Sequence, residues 1–225
     1  YFYDFNAKAN YEIDDKNRVY LSGYFGRDKF YLNVKETFDD QSYKSKVNFG
    51  WGNATGTARW NRIVNPKLFS NTSLIYSFYE LAIKSEEEVN GDPLFSLQYS
   101  SGIRDFSLKQ DFDWYANNNH KVKFGLMATH HTFTPDALVL KDAIFGEDLN
   151  RKTEYKSVES GLYIQDEWKI SKRMKTLMGI RLSTFTSNDK TYVNPEPRIA
   201  LSYKLKSDLA LKASYATMNQ YLHLL

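Results

Sequence analysis

The chain contains no cysteine and no long apolar run. The missing cysteines exclude disulfide bridges, thiolate metal sites and cysteine nucleophiles. The longest uninterrupted apolar stretch is 137–140, whereas a membrane-spanning helix needs about 20 such residues. A helical membrane span is therefore excluded, but a β-strand can cross a bilayer with only every second residue apolar.

An excess of one charge sign is also missing. The chain has 30 basic and 27 acidic residues and a net charge of +3, which is too balanced to indicate nucleic-acid binding by itself. Neighbouring side chains on a strand point to opposite faces, so the His130-His131 pair is predicted to lie at a strand end that faces the rim, without binding a metal ion. The acidic pair Asp111 and Asp113 is interpreted as part of a polar wall. No catalytic constellation and no cofactor site is predicted.

Aromatic residues are abundant. The chain has 17 Tyr, 15 Phe and 4 Trp, which together make 16% of its residues. Tyr and Trp combine an apolar body with a polar tip, and they suit a water–lipid boundary. Soluble β-proteins are also rich in aromatic residues, but the composition favours a membrane β-protein.

The period of two in the sequence predicts ten strands. In the first of them Phe5, Ala7 and Ala9 share one face, while Asn6 and Lys8 share the other. The predicted strands are about 1–13, 18–27, 43–62, 69–85, 94–115, 121–134, 154–170, 175–187, 196–206 and 208–218.

Two segments do not follow the simple alternation. Strand 69–85 has apolar residues at both odd and even positions, so either a bulge or burial on both faces would account for it. Which of its faces meets lipid stays open at this point. Segment 137–145 is rich in helix-forming residues, and we expect a short helical excursion there inside a long loop.

Short and long connections alternate along the chain. Tight turns at one end of the strands and long loops at the other are typical of outer-membrane β-barrels. We therefore predict an all-β, antiparallel transmembrane β-barrel segment of about ten long strands in up-and-down hairpins, with residues 1–225 forming part of one barrel domain. The short polar turns are 14–17, 65–67, 117–120, 171–173 and 206–208. The long connections are 27–42, 86–93, 135–153 and 187–195.

Two motifs resemble a known family. Gly161-Leu-Tyr-Ile-Gln-Asp-Glu-Trp-Lys-Ile170 and Asn194-Pro-Glu-Pro-Arg-Ile-Ala-Leu-Ser-Tyr203, followed by Ser214-Tyr215 and Asn219-Gln-Tyr221, are similar to mid-barrel strands of TonB-dependent outer-membrane receptors. The branch with a carboxypeptidase-regulatory-like module, near the SusC-like group, resembles the chain most. The specific signature covers 158–225. No plug domain is visible, so we expect an internal piece, about ten of the 22 strands of such a barrel.

The resemblance implies nutrient import across the outer membrane of a Gram-negative bacterium. The ligand would be a siderophore, a cobalamin-like compound, a glycan or a peptide, and TonB would supply energy through N-terminal parts of the receptor. Outer-membrane lipid and a surface lipoprotein are further implied partners, whereas enzymatic activity and nucleic acid are not expected. Ligand contact is predicted at lumen or rim residues, and the alternative is that these residues pair across strands or dock a plug. They are Tyr163, Arg181, Arg198, Asn219 and Gln220.

Two other readings of the sequence remain open at this stage. One is a complete ten-stranded outer-membrane enzyme, which would need catalytic residues at the loop rim. The other is a soluble β-sandwich that binds a ligand and buries its apolar face. The alternation of apolar and polar residues is compatible with a receptor barrel segment, with such an enzyme and with a β-sandwich.

Overall fold

The chain forms one antiparallel sheet in which ten strands follow each other in sequence order. The computed structural model describes residues 1–142 and 146–221. This confirms the predicted all-β, up-and-down architecture. The strands are β1 (Phe2–Asp14), β2 (Asn17–Phe38), β3 (Gln41–Asn65), β4 (Leu68–Val89), β5 (Asp92–Tyr115), β6 (His120–Asp142), β7 (Glu147–Lys169), β8 (Met174–Ser187), β9 (Lys190–Lys204) and β10 (Ala210–Ala216).

The two faces of the sheet differ in chemistry. On one face, which we call the outer face, apolar side chains such as Leu162 and Ile164 are more than half exposed. On the opposite, inner face, polar residues such as Thr129, Ser183 and Glu196 are buried. A soluble sheet would bury its apolar face instead, so this arrangement is that of a wall with lipid on its outer side.

The short turns are stabilised by local side-chain hydrogen bonds. Asp14, Asn65 and Asn117 each accept the backbone N–H two residues later, at 2.8, 2.9 and 2.8 Å. Ser171 accepts in the same way from Arg173 at 3.2 Å. Asp, Asn and Ser favour turns for this reason, and the predicted short turns are confirmed.

The prediction of long loops at the opposite end of the strands is wrong. β2 continues to Phe38 and β3 begins at Gln41, with only two residues between them. Both turn residues have positive φ, as they do in the turns at 90–91 and 188–189. These are the two-residue turns that match the twist of a hairpin, so the chain between strands stays extended and paired almost to the turn.

The same extension overturns the helical prediction. Residues 137–142 belong to β6, where Leu138 pairs with Tyr99 of β5, and residues 143–145 lie outside the described part. Cross-strand hydrogen bonds decide the conformation here, because a local preference for helix is weak beside a complete strand ladder.

The ambiguous fourth strand has apolar residues on both faces: Ile75 faces inward beside Leu74, and nearer the two-residue turn large apolar residues remain only on the inner face. Leu74, Tyr76 and Phe78 lie on the outer face, whereas Leu81 and Ile83 lie on the inner face. The register of β4 with both neighbours is continuous between these residues, so no bulge is involved. In the segment nearer the short turn, the outer face is therefore the one whose apolar character suits contact with lipid.

This reversal of the apolar face divides the strands into two zones. In the zone near the short turns, the outer face is apolar. In the zone near the two-residue turns, the outer face carries ion pairs, including Lys46–Glu88 and Lys84–Glu86 at 2.7 Å each. Spanning a bilayer takes about 9–11 residues per strand, and β2 to β7 have 22–25. The strands are therefore about twice as long as a bilayer crossing requires, and the charged outer zone takes up part of the excess.

The connectivity distinguishes the alternatives. Within residues 1–142 and 146–221 there is one sheet, with no second sheet packed on it, and β1 does not pair with β10. Neither a β-sandwich nor a closed ten-stranded barrel is formed by the described residues. No helix in this part of the chain is long and apolar enough to cross a membrane.

Candidate functional site on the inner face

Tyr163 lies in a row of inner-face residues that runs across three strands. Asp111 of β5 pairs with Gly125 of β6, which pairs with Tyr163 of β7. The Tyr163 hydroxyl donates to Asp111 Oδ1 at 2.6 Å. A Cβ on Gly125 would lie 2.9 Å from Tyr163 Cε1, so the glycine leaves the room that the ring needs to cross β6.

Arg181 is held between two carboxylates of neighbouring strands. Its Nη2 lies 3.5 Å from Glu159 Oε1, and its Nε lies 3.9 Å from Glu196 Oε2. The guanidinium rests on Gly161, where a Cβ would come within 2.9 Å of Nε. Burying Glu196, which is only 5% exposed, requires such partners because an unpaired buried charge is costly.

Glu196 also accepts hydrogen bonds from uncharged groups. Ser183 Oγ donates to Glu196 Oε1 at 2.7 Å, and Asn219 Nδ2 donates at 3.3 Å. The hydroxyl of Tyr221 lies 2.8 Å from Ser183 Oγ and accepts from Asn194 Nδ2 at 2.8 Å. These groups form a polar network with Arg181 and Glu159, which we call the Glu196 network.

A second buried polar group lies on β6. His131 is 8% exposed, and its Nδ1 lies 2.8 Å from Asp105 Oδ1. Its Nε2 lies 3.9 Å from Glu159 Oε2. His130 is exposed on the outer face, so the expected opposite orientation is confirmed. The expected position at a strand end is wrong, because β6 continues for eleven residues beyond His131.

The described side chains of this face do not form a metal-binding cluster. Among the described residues no three or more metal-binding side chains converge. The chemistry available on this face is charge pairing and hydrogen bonding, which suits a rigid polar wall or a surface that binds polar groups.

The inner face changes character in the zone near the two-residue turns. Phe30, Phe49, Ile83, Tyr99 and Leu138 are consecutive cross-strand partners from β2 to β6. Phe30 is 63% exposed, and Leu32, two residues later on the same face, is 52% exposed. We call this region, formed by inner-face residues 30–34, 47–51, 81–83, 97–99 and 138–140, the hairpin inner surface.

The sequence that forms this sheet matches the model of a known protein family. The sequence model described as "TonB dependent receptor-like, beta-barrel" matches residues 1–218. The chain belongs to this family. The matching description is that of the barrel in general, so the SusC-like branch stays a prediction.

Solved structures show the same fold as this TonB-dependent receptor segment. The ferric yersiniabactin uptake receptor FyuA of Yersinia pestis is 11% identical, with a TM-score of 0.59 over 96% of this chain and 35% of that one. The copper transporter OprC is also 11% identical, with a TM-score of 0.61 over 95% and 42%. BauA, the ferric preacinetobactin receptor of Acinetobacter baumannii, is 12% identical, with a TM-score of 0.55 over 95% and 39%.

The chain therefore spans about two-fifths of the length of these receptors. Among curated proteins no relative matches.

The predicted ligand residues of this receptor segment do not form one cluster. Arg181 and Asn219 meet at Glu196, while Tyr163 is bonded to Asp111 in another row. Arg198 lies on the inner face of β9, half-buried and paired with Gly179, and Gln220, beyond β10, also has an interaction partner. Their contact with a ligand stays a prediction.

Sequence reasoning missed Asp105, Glu159, Ser183 and Tyr221, which complete the polar contacts. It also missed the hairpin inner surface. The Asn90-Gly91 pair could have revealed the hairpin inner surface, because Asn-Gly is a strong indicator of a two-residue hairpin turn and therefore of strands that continue up to it.

Proposed function

We propose that the chain forms part of the membrane wall and outer rim of a receptor in the outer membrane of a Gram-negative bacterium. The receptor takes up a small nutrient without chemically changing it, using energy that TonB delivers through another part of the protein. Membership of the barrel family and the apolar outer face support this proposal. Related folds include receptors named for ferric siderophores and a copper transporter, so a scarce metal or its chelate is one ligand class to test, beside cobalamin-like compounds, glycans and peptides.

The reversal of the apolar face carries the proposal for where the ligand binds. Above the lipid zone, an apolar surface facing water outside would cost free energy, and the chain instead presents charge there. The apolar residues face inward, towards the space through which a ligand passes, and Phe30 remains 63% exposed. An exposed apolar surface of this kind marks a binding site in many proteins.

The polar inner-face residues nearer the short turns are suited to another role in the same receptor. Arg181 is surrounded by Glu159 and Glu196 of its own wall, and Tyr163 is bonded to Asp111. A ligand would have to displace these contacts in order to bind there. We therefore assign first contact with the ligand to the hairpin inner surface and propose that the Glu196 network stiffens the wall or docks a plug.

A matched pair of substitutions tests the binding surface. Phe30 and Tyr31 are adjacent and similarly exposed, at 63% and 56%, but they face inward and outward respectively. In the complete receptor, Phe30→Asp should reduce nutrient-limited growth, whereas Tyr31→Asp should not. Growth would be measured with ferric chelates, copper, cobalamin, glycans and peptides in turn, with surface abundance checked for each variant. Equal growth of both variants on the nutrient that requires the receptor would contradict the assignment.

The coupling to TonB is tested separately. Growth that requires the receptor should be lost in a strain without TonB. Growth that persists in this strain would show that the family resemblance does not extend to energy-driven uptake in this protein.

A further inference from the structure

One carboxylate lies among aromatic rings at the margin of the hairpin inner surface that is nearer the short turns. Asp28 of β2 pairs directly with Phe2 of β1 on one side and with Trp51 of β3 on the other. Phe30, two residues later on β2, points to the same inner face. Directly opposed Cβ atoms in a sheet lie about 4.5–5.5 Å apart, so rings from three strands flank the Asp28 carboxylate. We call these four residues the Asp28 site.

The Asp28 site is open, and its carboxylate has no partner of its own. Within residues 1–142 and 146–221 the Asp28 side chain forms neither an ion pair nor a hydrogen bond. Phe2 is 79% exposed and Trp51 is 39% exposed. The first inward cation on β1 is Lys8, which pairs with Ser22, six residues and therefore about 20 Å from Asp28 along β2.

The lysines of the hairpin zone all point away from this surface. Arg151 of β7 does point inward, but its Nη2 lies 2.8 Å from Asp136 Oδ2. The inner surface therefore combines apolar residues with unneutralised negative charge, which disfavours an anionic ligand and favours a cationic one. Within 28–51 and 81–101 the outward lysines are Lys29, Lys35, Lys44, Lys46 and Lys84, and the inward carboxylates include Asp28, Glu36 and Glu87.

A ring on the outer face shows the contact that the Asp28 site leaves open. The guanidinium of Arg62 lies 5.7 Å from the centroid of the Trp60 ring. Among the described residues no cation lies over Phe2, Phe30 or Trp51. The negative face of an aromatic ring attracts an ammonium group within about 6 Å, and groups of such rings are used to recognise quaternary ammonium ligands. The Asp28 carboxylate adds a full negative charge to this attraction.

We propose that the hairpin inner surface binds a ligand that carries an organic ammonium group on an apolar body. The ammonium group contacts the Asp28 carboxylate and the rings of Phe30 and Trp51. The apolar body lies along the row of partners from Phe49 to Leu138, which spans about 14 Å across β3 to β6. This inference rests on the proposed function, because it names the ligand class of the same surface.

The test uses the complete receptor and three fluorescent dansyl probes that differ only at one end. Each probe has the same six-carbon linker, which ends in a trimethylammonium group, in the uncharged isostere tert-butyl, or in a carboxylate. The trimethylammonium probe should bind at least about tenfold more tightly than the tert-butyl probe, since a desolvated cation–π contact contributes that much. The carboxylate probe should bind most weakly. Equal binding of the three probes, or no binding of the trimethylammonium probe, would overturn the proposal.

Substitutions with matched controls test the position of the ammonium group. Trp51→Leu should abolish the preference for trimethylammonium over tert-butyl, whereas Trp60→Leu, which removes a similarly exposed ring (41%) from the outer face of the same strand, should keep it. The isosteric variant Asp28→Asn should also lower this preference about tenfold. Its control, Glu80→Gln, removes one negative charge from the outer face beside Gly52 and should have no effect.

Folding of each variant is checked by gel mobility before binding is measured. Trp51→Phe keeps a ring at this position and should retain most of the preference, which separates loss of the ring from loss of structure. Full preference for trimethylammonium in folded Asp28→Asn would overturn the Asp28 site, as would full preference in folded Trp51→Leu.

The ligand class and the proposed function fail on different measurements. If Phe30→Asp lowers nutrient-limited growth while the three probes bind equally, the uptake surface stands and the ammonium ligand is overturned. If the trimethylammonium preference depends on Asp28 but Phe30→Asp grows normally, the ammonium site is supported and the role of this surface in uptake is overturned.

Discussion

The contact between Gly161 and Arg181 makes a sharp stability prediction. A Cβ on Gly161 would lie 2.9 Å from Arg181 Nε and 3.1 Å from Nη2. Gly161→Ala should therefore push the guanidinium away from Glu159 and Glu196. The backbone need not move, because the obstructed atoms belong to a flexible side chain.

The magnitude follows from the burial of the charges. Removing one partner of a fully buried ion pair costs about 3–5 kcal/mol, but the Arg181 side chain is 26% exposed, and water screens part of this energy. We expect the weakened ion pairing of Arg181 to cost about 2 kcal/mol. The better strand preference of Ala over Gly should offset about 0.5–1 kcal/mol of this loss. The free energy of unfolding should therefore fall by about 1–1.5 kcal/mol.

The matched control is Gly56→Ala, because a Cβ there meets nothing within 4 Å. This variant should raise the free energy of unfolding by about 0.5–1 kcal/mol. Urea unfolding of the complete receptor in lipid bilayers, followed by gel mobility, measures both. In an Arg181→Met background, Gly161→Ala should become as harmless as the control. If Gly161→Ala matches Gly56→Ala in the wild-type background, the reasoning is refuted.

Three further predictions follow from other contacts. Tyr163→Phe removes the hydrogen bond to the Asp111 carboxylate and should lower the free energy of unfolding by about 1.5 kcal/mol; an unchanged urea midpoint would contradict this. Gly91→Ala places a side chain at φ 93° and should cost about 1 kcal/mol, visible as faster amide exchange in the β4–β5 hairpin. The hydrogen bond from the Lys46 ammonium holds the pKa of Glu88 below its usual value, so this contact stabilises the β3–β4 hairpin above pH about 4.3 and is lost as pH falls through the lowered pKa. The amide protection factors of that hairpin, which correct for the intrinsic pH dependence of exchange, should fall in this acidic range, and Glu88→Gln should largely abolish this fall.

The number and order of strands were predictable because their causes are local. A period of two is visible in β1, β6 and β9 without any knowledge of partners. The turns at Asp14, Asn65 and Asn117 are closed by hydrogen bonds to residues two positions away. Each of these signals lies within a few residues of the feature that it predicts.

The extents of the strands were not predictable in this way. In β2 the apolar residues move from Phe25 on the outer face to Phe30 on the inner face. The change of phase looks like the end of a strand when each segment is considered alone. Pairing of β2 with β3 up to the Asp39-Asp40 turn shows one continuous strand in two surroundings.

The polar contacts of the inner face depend on cross-strand register. Tyr163 and Asp111 are 52 residues apart in sequence, and Glu196 meets Asn219 across 23 residues. Sequence reasoning placed Arg181 and Asn219 among candidate site residues, but it had no means of choosing Glu196 as their common partner. A shift of one residue in any pairing would turn these side chains to the other face.

The sequence by itself determined the class of this protein: a wall of alternating strands with tight turns at one end, in the TonB-dependent receptor-like barrel family. These properties arise from side-chain periodicity, turn chemistry and family motifs, all of which are written along one chain. Only the tertiary structure decided where the apolar face reverses and which carboxylates hold Arg181. Each of these is a relation between neighbouring strands, and hydrogen-bond register between strands is what brings their residues together.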